Sequence, residues 1–291
     1  LTLNGGAATS GLDWKKLTAQ VGTTDLPTKS YAATRVTLMA NEQGIEFTNY
    51  DKAKELVTGE AYEFSVDRAS DGKSVYADGY RFKDNTAATY ADSDNVHESA
   101  WGGRSELGKT AEGNVLTVTG GTITDTAYGG TSRRGKAQNN RLVMRGGDVQ
   151  TLKGGFGESA SGNTVDVFGG TVRGDVYGGH ATAGDAASNT VNLLAPVTVG
   201  GTIHGGNKAD ASGNTLNVKT NATAGNIKNF ESIKLTLKSS AFNPANSLLR
   251  LTGGAQTTDL DWSKLDVDTT ALAAAPKSYE AYRVKLMENA N

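Results

Sequence analysis

The 291-residue chain contains no cysteine, and this absence excludes disulfide bonds and thiolate metal sites. Histidine is almost as scarce, with three residues, and none of them has the spacing of a zinc motif. Proline occurs four times, methionine occurs three times, and aromatic residues make up 7% of the chain. This composition favours a fold of short strands and turns over one with a large globular core.

Neither acidic nor basic residues form a run, and 29 basic and 31 acidic side chains leave a net charge of −2. Nucleic acids and anionic membrane surfaces are bound by clustered Lys and Arg, so neither is an expected partner. No apolar stretch has the length of a transmembrane helix, and no signal peptide is recognisable. Because the chain opens on LTLNGG, we expect it to be a segment of a longer protein.

Glycine, by contrast, is abundant, with 37 residues, and much of it belongs to a phrase repeated between residues 101 and 218. Each copy opens on an asparagine and continues as a Val- or Leu-rich run, and most copies contain Gly-Gly pairs. The asparagines are Asn114, Asn140, Asn163, Asn189 and Asn214, at spacings of 26, 23, 26 and 25 residues. Self-similarity at a fixed period of this length indicates a solenoid.

The runs NVLTV, RLVMR, TVDVF and TVNLL are too short and too rich in β-branched residues for helices. Glycines, which adopt turn conformations with positive φ at no steric cost, end these runs, except that the LAPVTV stretch around Pro196 lacks the first Gly-Gly pair. About three such runs fit one coil, so the pattern predicts an all-β fold, a parallel β-helix with about 23–27 residues per coil. Each strand then pairs with its equivalent one coil away, at about 4.8 Å.

Equivalent residues of stacked coils should lie above one another. The five asparagines are therefore predicted to form a structural ladder, bonded along the axis through their side-chain amides. The large residues before the second Gly-Gly pair form a corner stack of Trp101, Tyr128, Tyr177 and His204, in which Lys153 interrupts the aromatic pattern. Packing and turn fixation is one interpretation of this stack, and a platform for sugar rings is the other.

A second, longer repeat relates the two ends of the chain. Residues 1–43 align without a gap with residues 249–291 at an offset of 248, and 20 of the 43 positions are identical. We interpret 1–43 as the end of or entry to a solenoid unit, and 249–291 as the start of a second copy of a 248-residue unit in a tandem array. The alternative is a capping element duplicated at the two ends of one solenoid.

The chain between these copies divides by its regularity. Residues 44–100 are predicted as irregular coils or a strand-rich insertion, in which YDKAKELV favours a helical turn. Residues 101–218 carry the regular β-helix coils, and residues 219–248 form a transition coil.

The asparagine-opened strands, the Gly-Gly corners, YGG and GNIKNFESIKLTL resemble the passenger regions of bacterial autotransporter adhesins. The resemblance covers about residues 101–250 and extends to both end copies, where LxLxGG precedes LDW. It implies a right-handed β-helix outside the cell, exported through a C-terminal outer-membrane barrel that lies outside this sequence. The lack of cysteine suits such export, because no disulfide forms in the oxidising periplasm and the coils fold progressively.

No constellation in the sequence predicts a catalytic, cofactor-binding or metal residue. His180 and His204 do not fall at equivalent positions of the repeat, and GESASG lacks the last glycine and the strand-to-helix context of a nucleophile elbow. The nonapeptide repeat of calcium-binding β-rolls is absent. Enzymes that cleave polysaccharides need converging carboxylates. The candidate carboxylates are spread along the coils at Asp148, Asp166, Asp175, Asp185 and Asp210.

The sequence thus predicts a rigid, rod-like segment of an extracellular bacterial surface adhesin, without enzymatic activity or cofactors. Its expected partners are surface glycans or proteins of a host or of other bacteria, with self-association into fibres as a further possibility. Binding is expected through loops such as GESASG, HATAGDAAS and TSRRGKAQN. A β-helix carbohydrate-active enzyme and a structural wall or capsule component are the alternatives.

Overall fold

The strands of this protein form a small sheet and a parallel β-solenoid whose regular part has about six turns. A computed structural model describes residues 2–3, 13–16, 34–43, 46–48, 50, 54–58, 61–83, 88–90, 96–208, 212–237, 246–254, 261–270 and 284–290. These ranges contain no α-helix, and short 3-10 turns occur at Trp14–Lys16 and Trp262–Lys264. The predicted all-β solenoid is confirmed.

The small sheet is formed by the N-terminal part of the chain. Its strands are β1 (Thr2–Leu3), β2 (Thr34–Asn41), β3 (Lys54–Thr58), β4 (Tyr62–Arg68) and β5 (Ser74–Arg81), in the order β1-β2-β5-β4-β3. β1 and β2 are parallel, and the other neighbours are antiparallel. The helical turn predicted in YDKAKELV is wrong at residues 54–57, because β3 pairs with β4 in a hairpin, and this pairing outweighs the local preference of its Lys and Glu. Residues 51–53 lie outside the described residues.

The solenoid follows, and its strands in chain order are β6 (Ala88–Tyr90), β7 (Val96–Trp101), β8 (Arg104–Ser105), β9 (Ala111–Glu112), β10 (Val115–Val118), β11 (Thr122–Ser132), β12 (Lys136–Gln138), β13 (Arg141–Met144), β14 (Asp148–Gly157), β15 (Ser159–Ser161), β16 (Thr164–Val167), β17 (Thr171–Val172), β18 (Val176–Ala181), β19 (Thr190–Leu193), β20 (Val197–Gly206), β21 (Thr215–Val218), β22 (Ala222–Lys228), β23 (Ser232–Thr236), β24 (Ser247–Leu251), β25 (Leu265–Asp268) and β26 (Lys285–Asn289).

These strands form three walls. The first wall has the order β6-β10-β13-β16-β19-β21-β23-β25, and the second has the order β7-β11-β14-β17-β20-β22-β24-β26, with β8 and β18 alongside. The third wall is the short sheet β9-β12-β15. Parallel pairing in register joins each coil to the next, as in β13 and β16, where Leu142 lies opposite Val165. The chain therefore winds from wall to wall.

Apolar side chains fill the interior in vertical files. Successive strand residues point to opposite faces, and the in-register pairing keeps each inward file apolar from coil to coil. One such file, in which every side chain is at most 6% exposed, consists of Leu116, Leu142, Val165, Val191, Leu216 and Ile233. A shift of one residue in any strand would turn its apolar residues towards solvent.

The small sheet is attached to the first coils through Glu63 in β4. The buried carboxylate of Glu63 accepts hydrogen bonds from the Ser105 hydroxyl at 2.9 Å, from the Leu107 N–H at 3.2 Å and from the Glu106 N–H. Burial raises the pKa of Glu63, because the charged form loses its solvation. The backbone of Phe82, which follows β5, also accepts a hydrogen bond from Asn114 at 3.2 Å.

Candidate functional site

The repeat asparagines form one buried file where the third wall turns into the first. All five have an exposed fraction of 0%. The backbone N–H and the Nδ2 of Asn140 both donate to Oδ1 of Asn163 at 3.0 Å, and the same Nδ2 donates to the Ala111 carbonyl at 2.9 Å. The same two-donor contact links Asn114 to Asn140, Asn163 to Asn189 and Asn189 to Asn214. The file is a continuous chain of buried amide hydrogen bonds.

The second Gly-Gly pairs are required by this file and by the neighbouring coils. A Cβ on Gly155 would meet the Asn163 side chain, and a Cβ on Gly154 would meet the Gly178 carbonyl, both within 3.0 Å. Neither glycine has a positive φ. The turn conformation predicted for the glycines that end the runs is found at the first pairs, where Gly121 has a φ of 75°. The second pairs need glycine for a different reason, the close approach of neighbouring atoms.

The residues of the predicted corner stack share one register position on the second wall. Tyr128 lies opposite Trp101 on one side and Lys153 on the other, and Tyr177 lies between Lys153 and His204. The His204 and Tyr177 rings are stacked, with centroids 4.4 Å apart and 5° between their planes. The Nζ of Lys153 lies 5.6 Å from the Tyr128 centroid and 5.7 Å from the Tyr177 centroid. Lys153 thus continues the stack through cation–π contacts.

A second row of side chains lies beside the corner stack. Phe156 meets Tyr128 edge to face at 5.9 Å, and His180 lies 5.4 Å from Phe156 and 5.0 Å from Tyr177. The guanidinium of Arg104 lies 4.4 Å from the Trp101 ring. Because neighbouring rings and cations cover these ring faces, the contacts favour packing and turn fixation over a platform for sugar rings.

Burial changes the protonation behaviour of this cluster. It lowers the pKa of Lys153, and together with the Lys153 charge it lowers the pKa of His180 to about 4. Burial and the Asp175 carboxylate raise the pKa of Tyr177 to about 12. The pKa of His204 is also lowered, because burial lowers it more than the Asp175 carboxylate raises it. His180 and His204 are therefore neutral at pH 7. In the described part of the chain, no group of three or more His, Asp or Glu is placed to hold a metal ion.

The outer side of the first wall carries a polar ladder that the sequence analysis missed. The Arg141 guanidinium contacts Asp166 at 2.5 Å and 2.6 Å, and the Asn192 amide donates to the same carboxylate at 2.6 Å. Asn217 then donates to Asn192 at 2.7 Å. The signal was available, because Asp166, Asn192 and Asn217 each occupy the third position of a strand, in TVDV, TVNL and TLNV.

The predicted spread of the carboxylates is seen for those in the described residues. Asp166 faces outward on the first wall, whereas Asp148 binds Arg173 at 2.5 Å on the second wall. Asp175 accepts a hydrogen bond from the Tyr177 hydroxyl at 3.0 Å, and Asp185 meets the third wall through its backbone carbonyl. Asp210 lies outside the described residues. Asp166 and Asp185 thus lie on different walls from each other and from Asp148 and Asp175.

A groove of about 470 Å³ opens beside the first residues of the corner stack. Its lining comprises Ser99, Trp101, Arg104, Glu106, Tyr128, Thr131, Arg133, Phe156 and Thr182. Arg104 donates to Glu106 at 2.6 Å, and Arg133 approaches the same carboxylate at 3.5 Å with a side chain that is 75% exposed. A larger depression of about 870 Å³ lies elsewhere on the second wall, over small polar side chains such as Thr198. We favour the smaller groove for binding, because it combines aromatic edges with charged groups.

Two of the predicted binding loops form part of a wall. TSRRGKAQN contains β12 and GESASG contains β15, and these strands pair in the third wall. The interpretation of GESASG as a loop is therefore wrong at residues 159–161, because stacked neighbours satisfy the backbone groups there. Residues 133–135 remain a turn, and HATAGDAAS is irregular over residues 182–188.

Comparison with known proteins found no matching family model, no matching curated protein and no matching solved structure. Among the described residues, no helix is long and apolar enough to span a membrane. The fold therefore rests on the stacked parallel sheets, and the resemblance to autotransporter passengers rests on the sequence motifs.

Proposed function

We propose that the protein is a repeat segment of a bacterial surface adhesin, in which the solenoid is a stiff extracellular scaffold. The observation that carries this proposal is the unbroken asparagine file backed by apolar files. A solenoid in which each coil contacts only its neighbours extends along one axis. At about 4.8 Å per coil, six turns extend for about 29 Å.

The location outside the cell is part of the proposal. The motifs shared with autotransporter passengers support it, and so does a composition without cysteine. A chain that crosses the oxidising periplasm unfolded avoids premature disulfides if it has no thiols. Attachment to the outer membrane would then depend on a barrel domain elsewhere in the parent protein.

The groove beside Trp101 and Tyr128 is the surface that we nominate for adhesion. Its aromatic edges offer apolar contact, and Arg133 offers an exposed cation with a carboxylate, Glu106, beside it. Sugar hydroxyls and polar protein surfaces both bind to such mixed surfaces through hydrogen bonds and apolar packing. The partner is therefore a glycan or a protein of a host or bacterial surface.

The test uses the purified chain on glycan and matrix-protein arrays, together with a measurement of oligosaccharide release. We expect binding to at least one surface class, and Arg133→Ala to weaken it by about tenfold, as for an interface residue worth about 1.4 kcal/mol. Arg134→Ala is the matched control, since Arg134 is the exposed neighbour outside the groove lining. Absence of binding on both arrays would refute the adhesive role, and released oligosaccharides would favour the carbohydrate-active enzyme instead.

A further inference from the structure

The described parts of the two copies of the 43-residue repeat have the same local structure. In the first copy β1 is parallel to β2, with Leu3 opposite Asn41. In the second copy β24 is parallel to β26, with Leu251 opposite Asn289, and both positions are offset by 248. Each copy also has a three-residue 3-10 turn that begins at its equivalent tryptophan. The repeat is therefore a structural unit and not only a sequence similarity.

The strand neighbours of the two copies are complementary. In the second copy β24 pairs with β22 of the solenoid, whereas the equivalent edge of β1 faces no strand among the described residues. In the first copy β2 pairs on its outer side with β5, with Thr37 opposite Tyr76. The equivalent strand β26 is the last strand of its wall within the described residues. Each copy has the neighbour that the other lacks.

The equivalent tryptophans show the same complementarity. Trp14 is 6% exposed and packs edge to face on Phe47 and Tyr50, with centroid distances of 5.8 Å and 5.2 Å. Trp262 is 55% exposed. Phe47 and Tyr50 follow the first copy directly in the chain, so a unit that follows the second copy in the same way supplies the rings that would cover Trp262.

We propose that copies of the 248-residue unit join through this repeat. One 43-residue segment then supplies a paired strand to the unit before it and another to the unit after it. The segment pairs through its first strand with β22 of the preceding unit and through its second strand with β5 of the following unit. One sheet then runs without a break from β7 of one unit to β3 of the next, and changes from parallel to antiparallel at the junction. This inference deepens the scaffold proposed above. The role of the junction in a longer rod rests on that proposed function, whereas the strand pairing at the junction does not.

The alternative of a cap duplicated at both ends of one solenoid does not account for these contacts. A cap extends the last rungs of the walls, as β24 and β26 do at the C-terminal end. The described part of the first copy does not extend the first rungs, because β1 and β2 belong to the small sheet and β6 and β7 end the two long walls.

The first experiment measures the exposure of the junction tryptophan. A two-unit protein, made of residues 1–291 followed by residues 44–291, carries Trp262 once at the junction and once more in its last copy. Variants retain only one of these two, with every other tryptophan replaced by phenylalanine. We expect acrylamide to quench the junction tryptophan several-fold less than the terminal one, which serves as the matched control. Equal quenching of the two would overturn the proposal.

The second experiment traps the strand pair in the same two-unit protein. Lys285→Cys in the first unit and Tyr76→Cys in the second occupy the positions that correspond to Thr37 and Tyr76, which lie opposite one another. We expect a disulfide, and no other thiol competes because the chain has no cysteine. Lys285→Cys in the last copy should remain a free thiol, and a free thiol at the junction as well would contradict the pairing. Array binding reports on the adhesive role alone, so the two proposals fail separately.

Discussion

Replacement of Asn163 by alanine probes the buried amide file at its centre. The Asn163 Oδ1 accepts hydrogen bonds from the backbone N–H and the Nδ2 of Asn140, both at 3.0 Å. Its Nδ2 donates to the Ala137 carbonyl at 3.0 Å and to Asn189 at 3.1 Å. Asn163→Ala removes these four hydrogen bonds from a site that has no exposed surface.

The magnitude follows from the groups that lose these bonds. The Asn140 N–H and the Ala137 carbonyl lose their side-chain partner in a corner that water does not reach. A buried polar group without a partner costs about 1–3 kcal/mol. We therefore expect Asn163→Ala to lower the free energy of unfolding by about 2–5 kcal/mol.

The matched control is Asn217→Ala, the same substitution on the outer polar ladder. Asn217 donates to Asn192 on a partly exposed surface, where water can replace the lost bond. We expect Asn217→Ala to lower the free energy of unfolding by about 0.5 kcal/mol. Urea denaturation followed by circular dichroism measures both variants, with the m-values compared to verify that the same structure unfolds. Equal losses for the two variants would refute the reasoning that burial of the file makes it stabilising.

Three further predictions concern the corner, its pH response and the attachment of the small sheet. Gly155→Ala places a methyl group against the Asn163 amide and should lower the unfolding free energy by about 2 kcal/mol in urea titrations. Gly184→Ala, whose nearest neighbour would lie 3.3 Å away, is its control and should have little effect. For His180 the folded pKa of about 4 lies below the ordinary 6.5, so the unfolded state binds the proton first. The full shift corresponds to about 3.4 kcal/mol, and solvent screening of this half-buried ring reduces the expected loss of stability between pH 6.5 and pH 4 to about 1–2 kcal/mol, after which stability levels off. An unchanged slope of stability against pH in His180→Phe would contradict this. Glu63→Ala should detach the small sheet from the solenoid. We expect faster proteolysis between residues 83 and 96 while the solenoid stays intact, and uniform digestion of the chain would contradict the role of Glu63 in this attachment.

The repeat made most of the solenoid predictable. Five asparagines at nearly equal spacings define the register of the regular coils, and the apolar alternation defines which side chains point inward. The position of Lys153 in the corner stack followed from the same register. The cation–π role of Lys153 could not be predicted from the register, because such contacts depend on the distances between side chains of neighbouring coils.

The small sheet could not be predicted in the same way, because it has no internal period. Its strand order, β1-β2-β5-β4-β3, depends on partners that are distant in the sequence. β3 illustrates the difficulty, since its residues favour a helix and only the hairpin with β4 makes them a strand. The alignment of residues 1–43 with 249–291 predicted equal local structure. The exposed fractions of Trp14 and Trp262 differ nevertheless, because the exposure of a side chain depends on the residues packed around it.

The asparagine file has a direction. From Asn114 to Asn214, each amide donates to the asparagine of the coil that follows it in the chain. During synthesis or export from the N-terminus, the newest coil always presents donors whose acceptor has not yet arrived. The arriving coil finds them already in place, so the folded part acts as a template with a finished end and a growing end. If assembly begins at the N-terminus, loss of a coil from the growing end reopens the donors of the coil before it.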